Sequence, residues 1–331
     1  MSTLRAVREF LLVLSDLYVR GEADSVPVLP HLDAIARFGR TLALPHGWRA
    51  WLTQYVGRSD LQQLPAAAVA ATLLGRKDGD EAGARPLCFA TPVQLRAALT
   101  HVRLGSHGVL RLEQAQARTL ADDFNALWQG SALALHALGG QFILEGLPAA
   151  QARGCDPALA LGADIAPYVA QGADAPALRA LGAEIEMWLH AHALNRERAR
   201  AGEAPVSALW LWGGGVGPAV RRALPMPAAF SDELYVRGLW QACGADARPL
   251  PPRAPPLEDL GERALAVVEL FSGAGALAQL EECWLKPLLA ALAEGRLQRL
   301  RLIANEQLFT LGRAARLKFW RRPRSMLAAQ G

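Results

Sequence analysis

Residues 192–215, "HALNRERARAGEAPVSALWLWGGG", limit the folds open to this chain more than any other stretch. A polar, arginine-rich helix end runs through Gly202 and Pro205 into SALWLW (207–212), an apolar run that reads as a buried strand. That strand stops on Gly213, Gly214 and Gly215, residues suited to a tight turn or a close backbone approach. Upstream, Leu178, Leu181, Ile185, Trp188, Leu189 and His192 fall on one helical stripe, and Gly202 ends that helix. A helix delivering the chain into a buried strand is the unit of an α/β sheet.

The remainder repeats the alternation. EFLLVLSDLY (9–18) is a buried strand ending on Ser15 and Asp16, followed by a short helix over 29–40. LPAAAVAATLLG (64–75) is a helix with Pro65 in its first turn and Gly75 as its cap. Residues 80–88 read as a linker, and TPVQLRAALTHVRL (91–104) as a helix. A second helix covers 111–129, where Leu112, Ala115, Leu120, Phe124 and Leu127 recur at nearly helical spacing. Five prolines within 249–256 make an extended connection. Beyond it come strands at 264–271 and 296–304, with a long helix over 275–294 between them.

Hydrophobic residues make up 52% and charged residues 20% of the 331, which excludes a disordered chain and leaves room for one large or two medium domains. No apolar run reaches the roughly 18–20 residues of a membrane span, and the N-terminus shows no secretory signal. Cys88, Cys155, Cys243 and Cys283 are widely spaced, as in reduced thiols of a cytoplasmic protein. The net charge of +4 is concentrated in the tail 313–324, where Arg313, Arg316, Lys318, Arg321, Arg322 and Arg324 lie and no acid follows Glu306. With no nucleic-acid motif beside it, that tail reads as a solvated terminal element, Phe319 and Trp320 packing back on the body, and not as a nucleic-acid or membrane contact.

His192, Asn195, Arg198, Gly202, Pro205, Trp210, Trp212, Gly213 and Gly215 form a pattern that resembles the archaeal type of cofactor-independent phosphoglycerate mutase. The chain also looks like a divergent bacterial group labelled phosphoglycerate mutase or regulatory protein. Weaker echoes keep the family's order: LVLSDL (12–17), VPVLPHLDAIARFG (26–39), LEQAQARTLADDFN (112–125) and GADIAPYVAQG (162–172). The resemblance implies an alkaline phosphatase-like sheet with flanking helices, two divalent metals and a serine that carries the phosphoryl group. Asp16 would be the metal carboxylate at the end of the opening strand. Two cations in such a site stabilise the attacking and leaving oxygens.

The chain departs from that pattern where chemistry is needed. All 7 histidines lie at or before residue 192, whereas the family takes its metal histidines from beyond the W-x-W-G strand. LRLIANEQ gives Ala304, Asn305 and Glu306 in place of an Asp-His pair, and ELFSGAG (269–275) offers no carboxylate–imidazole pair. The serine turn aligns onto PAAAVAATLLG, which puts Ala66 at the nucleophile and Ala67 beside it. The family's usual asparagine after the proline is Val206 or Ser207 here. Ser59 and Asp60 are a rival Ser-Asp pair, still without metal histidines. GGGVG lacks dinucleotide-loop spacing because Pro218 occupies the third glycine position, and His190 and His192, two apart, face different sides of a helix. Trp48 and Trp51 suit core packing better than ligand stacking.

The expectation is therefore a discontinuous α/β core, 1–85 with 205–331, interrupted by an inserted helix-rich cap, 86–204, and carrying the proline-rich connection 249–257. Metal-dependent catalysis is expected to be lost, with no cofactor, and the chain to act as a cytoplasmic regulatory or metabolite-binding protein. Its partner would be a small anionic metabolite or another protein, held by His192, Asn195, Arg198, Gly213, Gly214 and Gly215. The alternative is an active mutase or phosphatase with atypical metal ligands.

Overall fold

The computed structural model describes residues 7–17, 28–75, 85–147, 154–217, 219–270, 275–314 and 326. The chain divides into two compact units: Met1–Gln62 with Ala223–Gly331, and Gln63–Arg222. The first unit opens with β1 (Val7–Leu14), α1 (Pro30–Phe38), β2 (Arg40–Ala43) and α2 (Gly47–Tyr55). The second holds α3 (Ala66–Ala70), β3 (Pro86–Ala97), β4 (Val102–Val109), α4 (Gln114–Leu127), β5 (Ala134–Leu138) and β6 (Gln141–Glu145). It closes with α5 (Ala175–Ala191), α6 (Ala193–Arg200) and β7 (Ala208–Val216). The chain then returns to the first unit through β8 (Ala228–Phe230), α7 (Leu234–Ala242), β9 (Arg263–Val268) and α8 (Ala276–Leu280), and ends with α9 (Lys286–Glu294), β10 (Leu297–Ala304) and β11 (Gln307–Gly312). None of the described helices is long and apolar enough to cross a membrane.

In the first unit one sheet runs β2-β11-β10-β1-β9-β8. β10, β1, β9 and β8 are parallel, while β11 and β2 add on antiparallel. β1 sits inside the parallel part, which is why its sequence is apolar on both parities: Phe10, Leu11, Leu12 and Val13 are each 0% exposed. Phe10, Leu12 and Leu14 pack with Ile35 of α1 and Leu289 and Leu292 of α9 in one core. α8 and α9 are joined by a π-helical turn, Glu281–Leu285, just ahead of Pro287, whose missing N–H an α-helix would require. From that turn the buried Glu281 carboxylate accepts from His31 N (2.9 Å) and Leu32 N (2.8 Å), two otherwise unsatisfied donors at the start of α1. β10 turns into β11 through Asn305 and Glu306, both at positive φ (49° and 55°), the geometry of a two-residue hairpin.

The second unit is organised around β3, which pairs β7 along one edge and β6 and then β4 along the other. Its core joins Phe124 of α4, Leu181 and Ile185 of α5, and Leu209 and Leu211 of β7. Two expectations are corrected here. Residues 91–104 are not a helix but the end of β3, a turn and the start of β4: Val93, Leu95 and Ala97 alternate with Gln94 and Arg96 at period two. The SALWLW strand lies in this second sheet rather than beside β1, and the stretch 86–204 carries four strands of its own. The expected borders at 85 and 205 therefore differ from the observed ones at 62 and 222. An unbroken apolar run declares that a strand is buried, not which sheet buries it.

Candidate functional site

The residues expected to hold a ligand are joints of the second unit. His192 separates α5 from α6 and caps the latter, its Nδ1 accepting from Leu194 N at 3.1 Å. Its Nε2 lies 3.2 Å from Asp123 Oδ2, and its ring meets Trp188 edge-on at 4.7 Å. Asn195 Nδ2 donates to the carbonyls of Leu189 and Val206, and its Oδ1 accepts from Val206 N, each at 2.8 Å. Arg198, 6% exposed, donates from Nε to Ala204 O (2.8 Å) and from an Nη to Gln116 Oε1 (3.0 Å), and pairs with Glu203 at 2.8 Å. These bonds steer the chain from α6 into β7.

The glycines answer a different need at the other end of the same strand. β7 continues through Gly213, Gly214 and Gly215 to Val216. A Cβ on Gly215 would come 2.2 Å from Pro65 Cγ, and Gly213, at φ +63°, would bring one to 3.2 Å from Phe89 Cδ2. Glycine thus lets the start of α3 seat against β7. Val206 and Gly213 are seven residues apart along extended chain, about 20 Å or more. Of the residues expected to form one anion cleft, His192, Asn195, Gly213, Gly214, Gly215 and Arg198, the first two and Arg198 make internal contacts ahead of β7, and Gly213 and Gly215 pack near its end, with Arg198 paired to Glu203.

Several polar side chains, two of them with an unpartnered buried atom, follow the carboxyl ends of the parallel strands of the first unit, where open α/β sheets place ligands. Ser15, Glu269 and Asn305 are the first residues past β1, β9 and β10. Ser15 Oγ and Asn305 Oδ1 are both buried and have no hydrogen-bond partner among the described residues. Asp16, 6% exposed, accepts from Leu270 N with both oxygens (2.8 and 2.7 Å) and so ties the end of β1 to the end of β9. Beyond β8, Glu233 caps α7 by accepting from Val236 N (2.8 Å) and receives Arg49 Nη2 at 3.0 Å. Burial pushes the Glu233 carboxyl up, against the lowering effect of Arg49. Each of these residues lies within three positions of a strand end, a signal present in the sequence, which had singled out Asp16 as a site candidate.

This edge does not fit the two divalent metals that the resemblance implies. Asp16 and Glu233 spend their oxygens on backbone and guanidinium donors. No histidine follows His192, and no group of three His, Cys, Asp or Glu residues is placed to hold a metal among the described residues. Asn305 and Glu306, where an Asp-His pair would stand, form the β10–β11 hairpin. The rival pair is structural as well: Asp60 grips the buried Arg58 through Nε (3.0 Å) and Nη2 (2.9 Å). Trp48 packs edge-on to Tyr235 at 6.0 Å and Trp51 stacks on Tyr55 at 5.0 Å, both within the first unit. Pro218, residues 271–274 of ELFSGAG and residues 315–325 of the basic tail lie outside the described residues.

No family model matches the chain, and no curated protein does. Among solved structures the chain is similar to the cofactor-independent phosphoglycerate mutase of Thermoplasma acidophilum DSM 1728, with 16% identity over 98% of this chain and 95% of that one and a TM-score of 0.39. It is also similar to the PH0037 protein of Pyrococcus horikoshii, with 13% identity over 93% of this chain and 88% of that one and a TM-score of 0.48. Likeness at this level says nothing of activity, and the functional reading rests on the chain's own residues.

Proposed function

We propose that this chain is a regulatory, metabolite-binding protein on an enzyme-like α/β frame, without metal-dependent phosphoryl transfer. The observation that carries the reading is the state of the carboxyl edge of the first sheet. Its carboxylates hold the fold together, while Ser15 Oγ and Asn305 Oδ1 stay buried and unpaired among the described residues. Buried polar atoms of folded proteins normally have partners, so a hydroxyl-bearing ligand that donates to Asn305 and bonds Ser15 would complete the set. Asp16 and Glu269 make the edge acidic, which favours a neutral polyol over the anion expected from sequence.

The test is a calorimetric titration of the full chain with glycerol, erythritol and 3-phosphoglycerate, alongside metal analysis and an assay of 3-phosphoglycerate turnover with Mn2+. The reading expects substoichiometric metal, no turnover, and binding of a polyol that Ser15→Ala weakens about tenfold, the size of one neutral hydrogen bond near the upper end of its range. Two metal ions per chain with turnover would establish the alternative, an active mutase with atypical ligands. No polyol binding in the wild type would remove this edge as the site.

A further inference from the structure

The second unit contains a groove of about 270 Å3 that none of the preceding roles uses. α5 forms one wall and β7 another, and the segment 165–170 closes the side, with Leu95, Ile165, Leu178, Leu209 and Trp210 supplying apolar surface. The volume sits just below the smallest usual ligand clefts, about 300 Å3, and suits a single ring or a short alkyl chain.

Two small residues on α5 line the middle of the groove. Its lining from that helix is Leu178, Arg179, Gly182, Ala183 and Glu186, with the small pair in the middle. A Cβ on Gly182 would meet nothing within 4 Å, so no close approach demands glycine there. Glycine inside a helix costs about 1 kcal/mol relative to alanine. At Gly182 that cost goes with open volume; at Gly215, by contrast, it goes with tight packing.

The two charged groups on the rim are not equivalent. Arg179 donates an Nη hydrogen to Ala170 O at 3.1 Å, which fixes its guanidinium against the closing segment. Glu186 makes no hydrogen bond or ion pair among the described residues, so the groove presents an uncompensated carboxylate beside apolar surface. Trp210, its indole N–H held by Cys155 O at 2.9 Å, adds a fixed aromatic wall, and aromatic faces attract cations.

We propose that this groove binds a small amphipathic amine, with the apolar body lying over Gly182 and Ala183 and the protonated nitrogen on Glu186. Partial desolvation at the groove pushes the carboxyl of the otherwise exposed Glu186 up from its ordinary value, and a bound ammonium would bring it back down. The site belongs to the second unit alone and stands whether or not catalysis has been lost at the sheet edge of the first.

Ligand-observed NMR titration of the full chain with phenethylamine, 2-phenylethanol and phenylacetate separates the contributions, since the three share one ring and differ in charge. The wild type should bind the amine most tightly and phenylacetate least. Glu186→Gln should weaken the amine at least tenfold and leave the alcohol unchanged, as loss of one charge-assisted contact requires. Gly182→Leu should abolish binding of all three by filling the groove, and Gly182→Ala serves as the control that the helix tolerates substitution there. Equal affinity for amine and alcohol in the wild type, or an unchanged amine affinity in Glu186→Gln, overturns the assignment of the carboxylate. Binding that survives Gly182→Leu, or no binding of the amine to the wild type, overturns the site.

Discussion

Replacing Gly215 by alanine would drive a methyl carbon to 2.2 Å from Pro65 Cγ, so the proline ring or the paired strand must shift. Gly215→Ala should therefore destabilise the protein by about 1–3 kcal/mol, the usual cost of overpacking. The same substitution at Gly182 meets open space on a helix and should stabilise by about 1 kcal/mol. Urea unfolding of both variants gives opposite shifts in midpoint if this account is right; a shared sign refutes it. The sequence marked Gly213, Gly214 and Gly215 as a place of close approach, and that was legible. What approaches was not, because Pro65 lies about 150 positions earlier in a chain read without its fold. Arg198 was legible as a special arginine but not as a structural one: its partners Gln116 and Ala204 are brought to it only by folding. Arg198→Ala should cost about 2–3 kcal/mol of stability, since it strips a nearly buried guanidinium from three acceptors, and leave ligand binding at the first unit's sheet edge unchanged. Denaturation together with polyol titration checks both halves of that statement.

At the level of elements, β1, β7 and β9 could be read because each contains a short apolar run, β10 because Leu297, Leu300, Leu302 and Ile303 recur between its polar residues, and α4 and α5 because their stripes keep helical spacing. Residues 91–104 misled because Leu95, Ala98 and Leu99 also satisfy helical spacing, and only pairing with β7 and β4 decides for a strand. Glu233, between β8 and α7, carries a consequence of burial that can be measured. Its carboxyl is held above its ordinary value, desolvation outweighing Arg49. A raised carboxyl keeps its proton in the folded state at a pH where the unfolded chain has released it. That contribution to stability is complete below the ordinary carboxylate value of about 4.5 and is lost as pH rises through the folded value. Glu233→Gln cannot titrate, so its stability should fall less than the wild type's as pH climbs from 4.5 towards neutrality. Urea midpoints across that window test it, and parallel profiles for the two proteins would show that Glu233 is ionised throughout.

Across the whole molecule, phosphoryl transfer of the kind the resemblance implies draws on residues that are far apart in sequence. The nucleophile would come from the turn that opens α3, and the metal ligands from Asp16 and from residues beyond the W-x-W-G strand. Loss at one position could be repaired by one substitution; loss at several could not. Ala66 is half-buried at the first turn of α3 and faces a glycine, so Ala66→Ser adds one hydroxyl without a steric conflict. The segment after residue 192 contains no imidazole to help hold a cation for that hydroxyl, and the Asp16 oxygens already serve Leu270 N. On the proposed reading, a serine there would lack a metal to lower the pKa of its hydroxyl or to neutralise a phosphate. Ala66→Ser should consequently fold as the wild type does and show no 3-phosphoglycerate turnover and no phosphoserine with Mn2+ or Zn2+ present, followed by intact-mass spectrometry and a coupled assay. A phosphoryl group found on the new hydroxyl of the Ala66→Ser variant would mean that cation ligands exist which neither the strand ends nor the histidine distribution discloses, and the binding-protein reading would give way to that of an enzyme one residue short of its nucleophile.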